Sequence, residues 1–471
     1  MKQLLSLLEN LNDFLLKNCS ENPRITNLTH DSRTAKAGSL FFVLKGEKSH
    51  GKMFVLNAIA QGASAIVTDE ELDFNVPQVI VKDTRLAMAL MAKSFYENAC
   101  DDLIIVGITG TNGKTTTARM ITHLLRETGH KTISIGTLGV DGLDLDISSL
   151  TTPDPIELHK IFLEAKKAGV THVAMESSAH AIHLKKLAGI TFKVGIFTNL
   201  TIDHLDFFGD FRKYADTKIN WFDENIATAI VNIDDPEGCK ITELRGGELN
   251  TITYTLPSKI KLSEEGSSFE HESLSFQLPL AGKFNVYNAQ AAILAAKELG
   301  IPLKNSKNAL SKLPQVPGRF NTIKVKNATV VIDYAHSPDS LEKIILTCRE
   351  ISKGRIITLF GCGGNRDIGK RPMMGELATR LSDITIITTD NPREESPQSI
   401  MLQIEAGAKL NTNSYCLIEN RSEAIKFALE VAQKGDLIII AGKGAEPYME
   451  IRGKRHPFSD YEEVEKFLQN N

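Results

Sequence analysis

Short apolar runs recur along the chain, each followed by a polar or glycine-rich word and then by residues with helical spacing. Between 22 and 98 the runs 40–44, 65–67 and 78–81 alternate with helical stretches such as 53–61, which predicts a small α/β unit. The run 103–108 opens a second unit. Further buried-strand runs at 172–175, 194–197 and 229–233, spaced by segments such as 155–168, have the rhythm of a parallel sheet. Residues 250–280 read as antiparallel or irregular structure. At 313–320 the sequence LPQVPGRF sets two prolines and a glycine after a helical stretch and predicts a hinge. A third unit follows, with strand runs at 329–332, 355–360, 384–388 and 437–440. The opening MKQLLSLLENLNDFLL, with acids among its leucines and no small-residue cleavage site, predicts an amphipathic helix rather than a signal peptide.

The words after the runs carry the chemistry: GITGTNGKTT, MESSAH, FTNLTIDH, DYAHSPD, FGCGGNRD, TTDNPR and AGKGAE. Ligands in open parallel sheets sit beyond the carboxyl ends of the strands, so these words should line clefts between facing units. In the first of them, Gly110, Thr111, Asn112, Gly113, Lys114, Thr115 and Thr116 lead into a helix with Ala118, Ile121, Leu124 and Leu125 on one face. Strand, glycine loop and helix N-terminus form a phosphate cradle in which Lys114 would reach the β- and γ-phosphates and Thr115 would ligate Mg²⁺. The strict phosphate-loop spacing needs glycine at 108, where the chain has Ile108; Gly107 lies one position too early. Glu176 ends the run 172–175, and His204 and Asp206 follow the run 194–197, so these side chains would gather at successive strand ends as a second metal-holding group.

Composition narrows the partners. The 471 residues suggest about three domains. With 54 basic and 58 acidic side chains the net charge is −4, which leaves no basic field for nucleic acid or an anionic membrane surface. Any polyanion must be small and held locally. No apolar run approaches a membrane span, and the six cysteines lie far apart without a C-x-x-C pair, so a cytoplasmic location is expected.

The longer form G-x-T-G-T-N-G-K-T-T resembles the ATP loop of the Mur ligases and their folylpolyglutamate synthetase relatives. The segment DHLDFFGDFRKYADTKINWF is similar to the Mur ligase stretch whose lysine is carbamoylated by CO₂, with Lys218 at the matching position. His30-Asp31-Ser32-Arg33 and Gly38-Ser39-Leu40-Phe41-Phe42 resemble the family's uridine-nucleotide-binding first domain, Thr151-Thr152-Pro153-Asp154 its substrate loop, and Asn285-Val286-Tyr287-Asn288 the start of its usual helix. Pro317-Gly318-Arg319, Asp333-Tyr334-Ala335-His336 and the stretch from Gly361 to Asp367 resemble its third domain. On these words the chain is identified as a member of the Mur ligase family.

That resemblance implies an α/β fold of three domains: a small UDP-binding domain over 1–98, a central P-loop-type parallel-sheet ATPase domain over 99–318, and a C-terminal Rossmann-like domain over 319–471. It implies ATP-dependent addition of meso-diaminopimelate to UDP-N-acetylmuramoyl-L-alanyl-D-glutamate, through an acyl phosphate, in peptidoglycan precursor synthesis. ATP would be held by the phosphate loop with Asn288, Arg319, Asp333 and His336. The UDP substrate would meet Ser32, Thr151, Thr152, Ser178 and Lys186, and the amino acid Arg366, Asp390, Asn391, Pro392, Arg393, Gly442 and Glu446. One Mg²⁺ would use Thr115 and Glu176, and a second His204 and the Lys218 carbamate. Partners would be these small molecules alone, with no nucleic acid or membrane, and the enzyme a monomer. Alternatives are the lysine-adding homologue, a folylpolyglutamate synthetase-like ligase, or a nucleotide-gated scaffold that ligates nothing. The chain departs from the family where Glu176-Ser177-Ser178-Ala179-His180 stands for Glu-Val-Ser-Ser-His, where Lys186 replaces an arginine, and where Ala445 replaces the histidine before Glu446.

Overall fold

The computed structural model describes residues 1–46, 50–145, 150–223, 225–246, 250–326, 328–411 and 414–470. The first unit holds strands β1 (Phe14–Lys17), β2 (Asn27–Thr29) and β3 (Ser39–Phe42), helix α1 (Val55–Ala60), strands β4 (Ala63–Thr68) and β5 (Gln78–Val81), and helix α2 (Thr84–Phe95). Its sheet order is β1-β5-β4-β3-β2, antiparallel only at β1. Asp83 starts α2 by accepting from the amides of Arg85 and Leu86.

The opening helix is not formed. Leu4–Leu8 makes a short 3₁₀ turn that buries Leu4, Leu7 and Leu8, and the second half of the expected helix is strand β1. The polar Asn10, Asn12 and Asp13 interrupt the leucines with turn-forming side chains. Asn10 donates to the Ser94 hydroxyl at 2.8 Å, and the open edge of β5 then supplies main-chain partners for Phe14–Lys17.

The central unit runs β6 (Ile104–Thr109), α3 (Lys114–Glu127), β7 (Thr132–Gly136), β8 (Gly139–Asp141), α4 (Pro155–Lys167), β9 (His172–Glu176), α5 (Ala179–His183), β10 (Phe192–Phe197), α6 (Leu205–Phe208), α7 (Phe211–Asn220), β11 (Ile226–Asn232), α8 (Pro236–Arg245) and β12 (Asn250–Tyr254). An antiparallel meander of β13 (Ile260–Ser263), β14 (Gly266–His271) and β15 (Leu274–Leu278) follows, then α9 (Lys283–Glu298) and α10 (Leu303–Leu310). The main sheet is ordered β8-β7-β9-β6-β10-β11-β12, parallel except at β8. The expectation for 250–280 therefore holds for the meander but not for Asn250–Tyr254, which pairs parallel to β11 at the sheet edge. Leu124, Ile196, Phe276, Ala292 and Leu310 pack on one face of this sheet, and Ile161, Phe162, Phe222 and Ile241 on the other.

The third unit runs β16 (Asn321–Val325), β17 (Ala328–Asp333), α11 (Pro338–Ile351), β18 (Ile356–Phe360), α12 (Lys370–Leu381), β19 (Ile384–Ile387), α13 (Pro397–Ala408), β20 (Ser414–Leu417), α14 (Arg421–Val431), β21 (Asp436–Ala441), the hairpin β22 (Tyr448–Ile451) and β23 (Lys454–Pro457), and α15 (Asp460–Asn470). Its order is β16-β17-β21-β18-β19-β20, with only β16 antiparallel. Helices cover both faces, as burial of parallel strands demands.

Arg421, fully buried at the start of α14, ties this unit together. It pairs with Asp460 of α15 through two contacts of 2.7 and 2.8 Å, and donates to the carbonyls of Thr389, just beyond β19, and Ala441, the last residue of β21. Asp460→Ala would strand a guanidinium in a dry interior, at a cost of about 3–5 kcal/mol. Urea titration followed by circular dichroism should show that loss, with part of it recovered when Arg421→Met is added; an unchanged midpoint for Asp460→Ala would refute the account.

Candidate active site

The carboxyl ends of β6, β9 and β10 face those of β17, β18, β19 and β21 across one cavity of about 970 Å³. The phosphate loop is fastened to the end of β10: Thr198 donates to the Asn112 carbonyl at 2.6 Å, and Asn199 takes the Asn112 amide at 3.1 Å and the Thr111 amide on its main chain at 2.8 Å. Gly113 turns with φ of 87° directly beneath Asn288, where a Cβ would lie 2.3 Å from the Asn288 Oδ1. That close approach is what the glycine before the lysine supplies.

Lys114 is folded back onto the carbonyls of Gly110 and Thr111, at 2.9 and 2.8 Å. Burial lowers its pKa against the opposing pull of Glu176 and Asp203. Lys218, on α7, is also buried, donates to the same Gly110 carbonyl and lies 4.7 Å from the centre of the Tyr214 ring. Burial first, and the Lys114 charge second, push its pKa well below the ordinary lysine value. Two lysine nitrogens thus share one carbonyl.

Glu176 ends β9 fully buried. Its Oε1 accepts from the Thr115 hydroxyl and the Thr137 amide, both at 2.8 Å, and its Oε2 from the Thr137 hydroxyl at 3.2 Å. Gly136 leaves the room for this, since a Cβ there would lie 2.2 Å from Oε1. Thr115 and Glu176 are hard oxygen donors side by side, which suits one edge of an Mg²⁺ shell. His204, in the left-handed region at φ of 54°, stands partly exposed on the cavity wall beside Asp203, and a neutral imidazole there can offer a ring lone pair. Among the described residues no three His, Cys, Asp or Glu side chains converge as a metal site, and Lys218 as an ammonium offers no lone pair. A second cation therefore fits this donor set only if Lys218 becomes anionic.

Thr151 and Thr152 reach the same strand end. Thr152 donates to the Glu176 carbonyl at 2.7 Å and meets Ser178 at 3.1 Å, Thr151 meets the Thr137 hydroxyl at 3.1 Å, and Lys186 donates to the Thr152 carbonyl at 3.3 Å. From the third unit, Arg319 donates to the Thr115 hydroxyl at 3.2 Å, and Asp339 accepts from Asn112 at 2.8 Å and from Thr201 at 3.2 Å. Asp333 takes the amides of Phe320 and Ala335 and so shapes the PGRF turn, while His336 lines the cavity close by.

The far wall of the cavity carries Arg366, Asp390, Asn391, Arg393, Gly442 and Glu446. Asn391 donates to Glu446 at 2.8 Å. Lys443, fully buried, donates to the Asn391 Oδ1 at 3.1 Å and to Glu446 at 3.2 Å. Arg393, also in the left-handed region at φ of 50°, is held by Glu450 and by the Gly364 carbonyl. Asp390 leaves Oδ2 buried without a partner beside Gly442.

Most of the residues singled out from sequence thus line one cavity. Three do not: Ser32, whose hydroxyl accepts from Asn57 at 3.1 Å inside the first unit, and Gly110 and Pro392, which act through main chain or turn shape. The first unit still touches the site's border through His30 and Asp154, 3.7 Å apart. Sequence reasoning missed Thr137, Asn199, Asp203, Lys370 and Lys443. Asn199, Asp203 and Lys443 stand inside quoted words beside residues that drew attention first; Thr137 belongs to a loop with no motif of its own. Burial raises the Asp203 pKa, yet His204, His336 and Lys370 together hold it below the usual carboxylate range.

Three family descriptions match the chain: "Mur ligase family, catalytic domain" over 24–96, "Mur ligase middle domain" over 108–296 and "Mur ligase, glutamate ligase domain" over 318–444. A Clostridium acetobutylicum protein named UDP-N-acetylmuramoyl-L-alanyl-D-glutamate--2,6-diaminopimelate ligase 1 is 41% identical, over 95% of each chain. A Halalkalibacterium halodurans ligase of that name, without the number, is 39% identical over 98% of this chain and 97% of its own. A solved structure of a UDP-N-acetylmuramoyl-L-alanyl-D-glutamate--2,6-diaminopimelate ligase superposes with a TM-score of 0.67 at 32% identity, covering 95% of both chains.

Two buried histidines set a pH dependence. Burial holds His172 at about 4 and His159 at about 3, against an ordinary value of 6.5. Below 6.5 the unfolded chain binds protons that the folded chain refuses, so stability falls as pH drops from about 6.5 toward 4. Urea midpoints should decline between pH 7 and pH 5, above the range where carboxylates titrate, and His159→Phe should flatten the decline. A flat wild-type profile would overturn this.

Proposed function

The chain belongs to the Mur ligase family, and from that premise we propose that it joins meso-2,6-diaminopimelate to UDP-N-acetylmuramoyl-L-alanyl-D-glutamate with cleavage of ATP. The observation that carries this reading is the cavity itself, with a phosphate loop on one wall and two arginines, an asparagine and a glutamate on the other. Such an arrangement suits a reaction that moves a phosphoryl group at one end and captures a zwitterionic amino acid at the other.

The γ-phosphoryl passes from ATP to the D-glutamate carboxylate, giving an acyl phosphate and ADP. The free amine of diaminopimelate then attacks the acyl carbon, and phosphate leaves as the amide forms. The loop amides at the start of α3 and the Lys114 ammonium offset charge on the transferring group, and Arg319 approaches it from the third unit. Mg²⁺ bound at Thr115 and Glu176, and a second ion at His204 and Lys218, would neutralise phosphate and acyl-phosphate oxygens. Thr151, Thr152, Ser178 and Lys186 orient the peptide end of the nucleotide substrate. The unit 1–98 takes its UDP end, 99–318 takes ATP and 319–471 the amino acid. The enzyme works as a cytoplasmic monomer on these small molecules.

Lys218 acts as a carbamate. Its amine, kept neutral by burial and by Lys114, is the form that adds CO₂; the N–C bond forms, a proton leaves, and an anionic oxygen ligand results. Lys218→Ala should lose activity by about 10²-fold or more, and formate should restore part of it by supplying the missing carboxylate. Full activity of the variant, or an unmodified ammonium in a high-resolution map of the active nucleotide complex, would remove this role.

The acceptor is tested by mass spectrometry of products formed from the UDP-muramoyl dipeptide, ATP and Mg²⁺ with either diaminopimelate or L-lysine. Lysine lacks the distal carboxylate, so the Arg393 donors that Glu450 and Gly364 leave free would go unmatched, a loss of about 1.5–3 kcal/mol for a hydrogen bond to a charged group, or roughly ten- to a hundredfold. Arg393→Ala should lower kcat/KM steeply for diaminopimelate and little for lysine. Comparable wild-type values for the two amino acids would show that Arg393 does not read the carboxylate.

A further inference from the structure

We propose that Glu450, on strand β22, is a specificity-setting positioning residue that aims the Arg393 guanidinium into the acceptor cavity. The inference rests on the reading that Arg393 meets the distal carboxylate of the amino acid. Arg393 lines the cavity, whereas Glu450 lies outside its lining. The Arg393 Nε donates to Glu450 Oε2 at 3.1 Å, and Nη1 donates to the Gly364 carbonyl at 2.8 Å. Nη2 has no hydrogen-bond partner among the described residues, so the fork is fixed on two sides and open on the side left for a ligand. A guanidinium held in this way presents its remaining donors already oriented, and less conformational freedom is lost when a carboxylate binds.

The main chain of Glu450 adds a second hold. Its amide donates to Asn391 Oδ1 at 2.8 Å, and its carbonyl accepts from the Arg393 amide at 3.0 Å. The Arg393 carbonyl in turn accepts from the Arg452 amide at 2.8 Å, so β22 and the DNPR segment are stitched together around the left-handed turn at Arg393. These bonds use the main chain at 450 and do not depend on its side chain, so they persist in the Ala and Gln variants. Changing that side chain therefore isolates the contact to Nε. Glu450 does not compete with substrate, because its carboxylate sits behind the arginine and not in the cavity.

The test is steady-state kinetics of the full-length enzyme with diaminopimelate, L-lysine and ATP varied in turn. Glu450→Ala should raise KM for diaminopimelate about tenfold while kcat at saturation and KM for ATP hold, the pattern of lost ground-state and transition-state binding alike. Glu450→Gln, which keeps an acceptor oxygen without the charge, should fall between wild type and Ala, and it serves as the isosteric variant if Ala folds poorly. In an Arg393→Ala background Glu450→Ala should add nothing, because its only route is through that arginine. An unchanged KM for diaminopimelate in both variants, a further rise in the Arg393→Ala background, or a parallel rise in KM for ATP would each overturn the proposal. Failure of the wild type to prefer diaminopimelate would instead sink the reading of the reaction, so the two failures are distinct.

Discussion

The site is organised around the carbonyl of Gly110, where the side chains of Lys114 and Lys218 converge on the cavity wall. Burial and the Lys114 charge push the pKa of the buried Lys218 well below the ordinary lysine value, and desolvation, with Arg319 adding to it, lowers that of Lys114. Negative charge brought from outside would relieve this crowding of cations. A triphosphate against Lys114 would do so, and so would the carbamate proposed for Lys218.

Closure of the cavity depends on the same loop. Asn112 is gripped from behind by Thr198 and Asn199 and from across the cleft by Asp339, and Thr115 is approached by Arg319. Three contacts from the third unit land on the phosphate loop or its neighbour Thr201, while Glu264 meets Lys324 and Thr329, and Lys283 and Phe284 meet Glu350 and Phe320, away from it. The position of the amino-acid wall is therefore referred in part directly to the phosphate loop. That suits a reaction in which an acyl phosphate formed at one wall must be met by an amine held at the other.

The alternation of apolar runs and polar words made the two parallel sheets and their facing ends legible. A strand buried on both faces needs an unbroken apolar run, and a ligand beyond its carboxyl end needs the polar word at that end. Local reasoning failed where pairing decided the outcome. Phe14–Lys17 has the leucines of a helix but takes the open edge of β5, and Asn250–Tyr254 becomes a parallel edge strand because β11 offers one. At the site, residues inside long words were found and their supports were not. Lys443 is an ordinary lysine in AGKGAE until folding puts it between Asn391 and Glu446, and Glu450 has no motif at all. Supporting contacts are made across large sequence separations, which no spacing rule encodes.

The departures from the family pattern can be weighed in the same terms. At Ala445 the contact that matters is main chain: a Cβ on Gly318 would lie 2.3 Å from the Ala445 amide nitrogen, so backbone packs on backbone there whatever side chain 445 carries. Glu446 next to it is oriented by Lys443 and Asn391 and so does not depend on the missing histidine. Of the cations around the acceptor wall, Arg371 is paired with Glu395, Lys443 with Glu446 and Arg393 with Glu450. Arg366 alone among these has no ion-pair partner within the described residues, and it is exposed while lining the cavity. Lys370, which also lines the cavity, donates to the His336 carbonyl and likewise has no ion-pair partner among the described residues, so the wall presents uncompensated positive charge beside an arginine fork held on two sides. On the acceptor reading proposed above, an incoming carboxylate would find attraction from Arg366 and geometry from Arg393, and the two functions would rest on different residues because a side chain pinned by its own counter-ion has spent much of its charge and an unpinned one has no fixed aim.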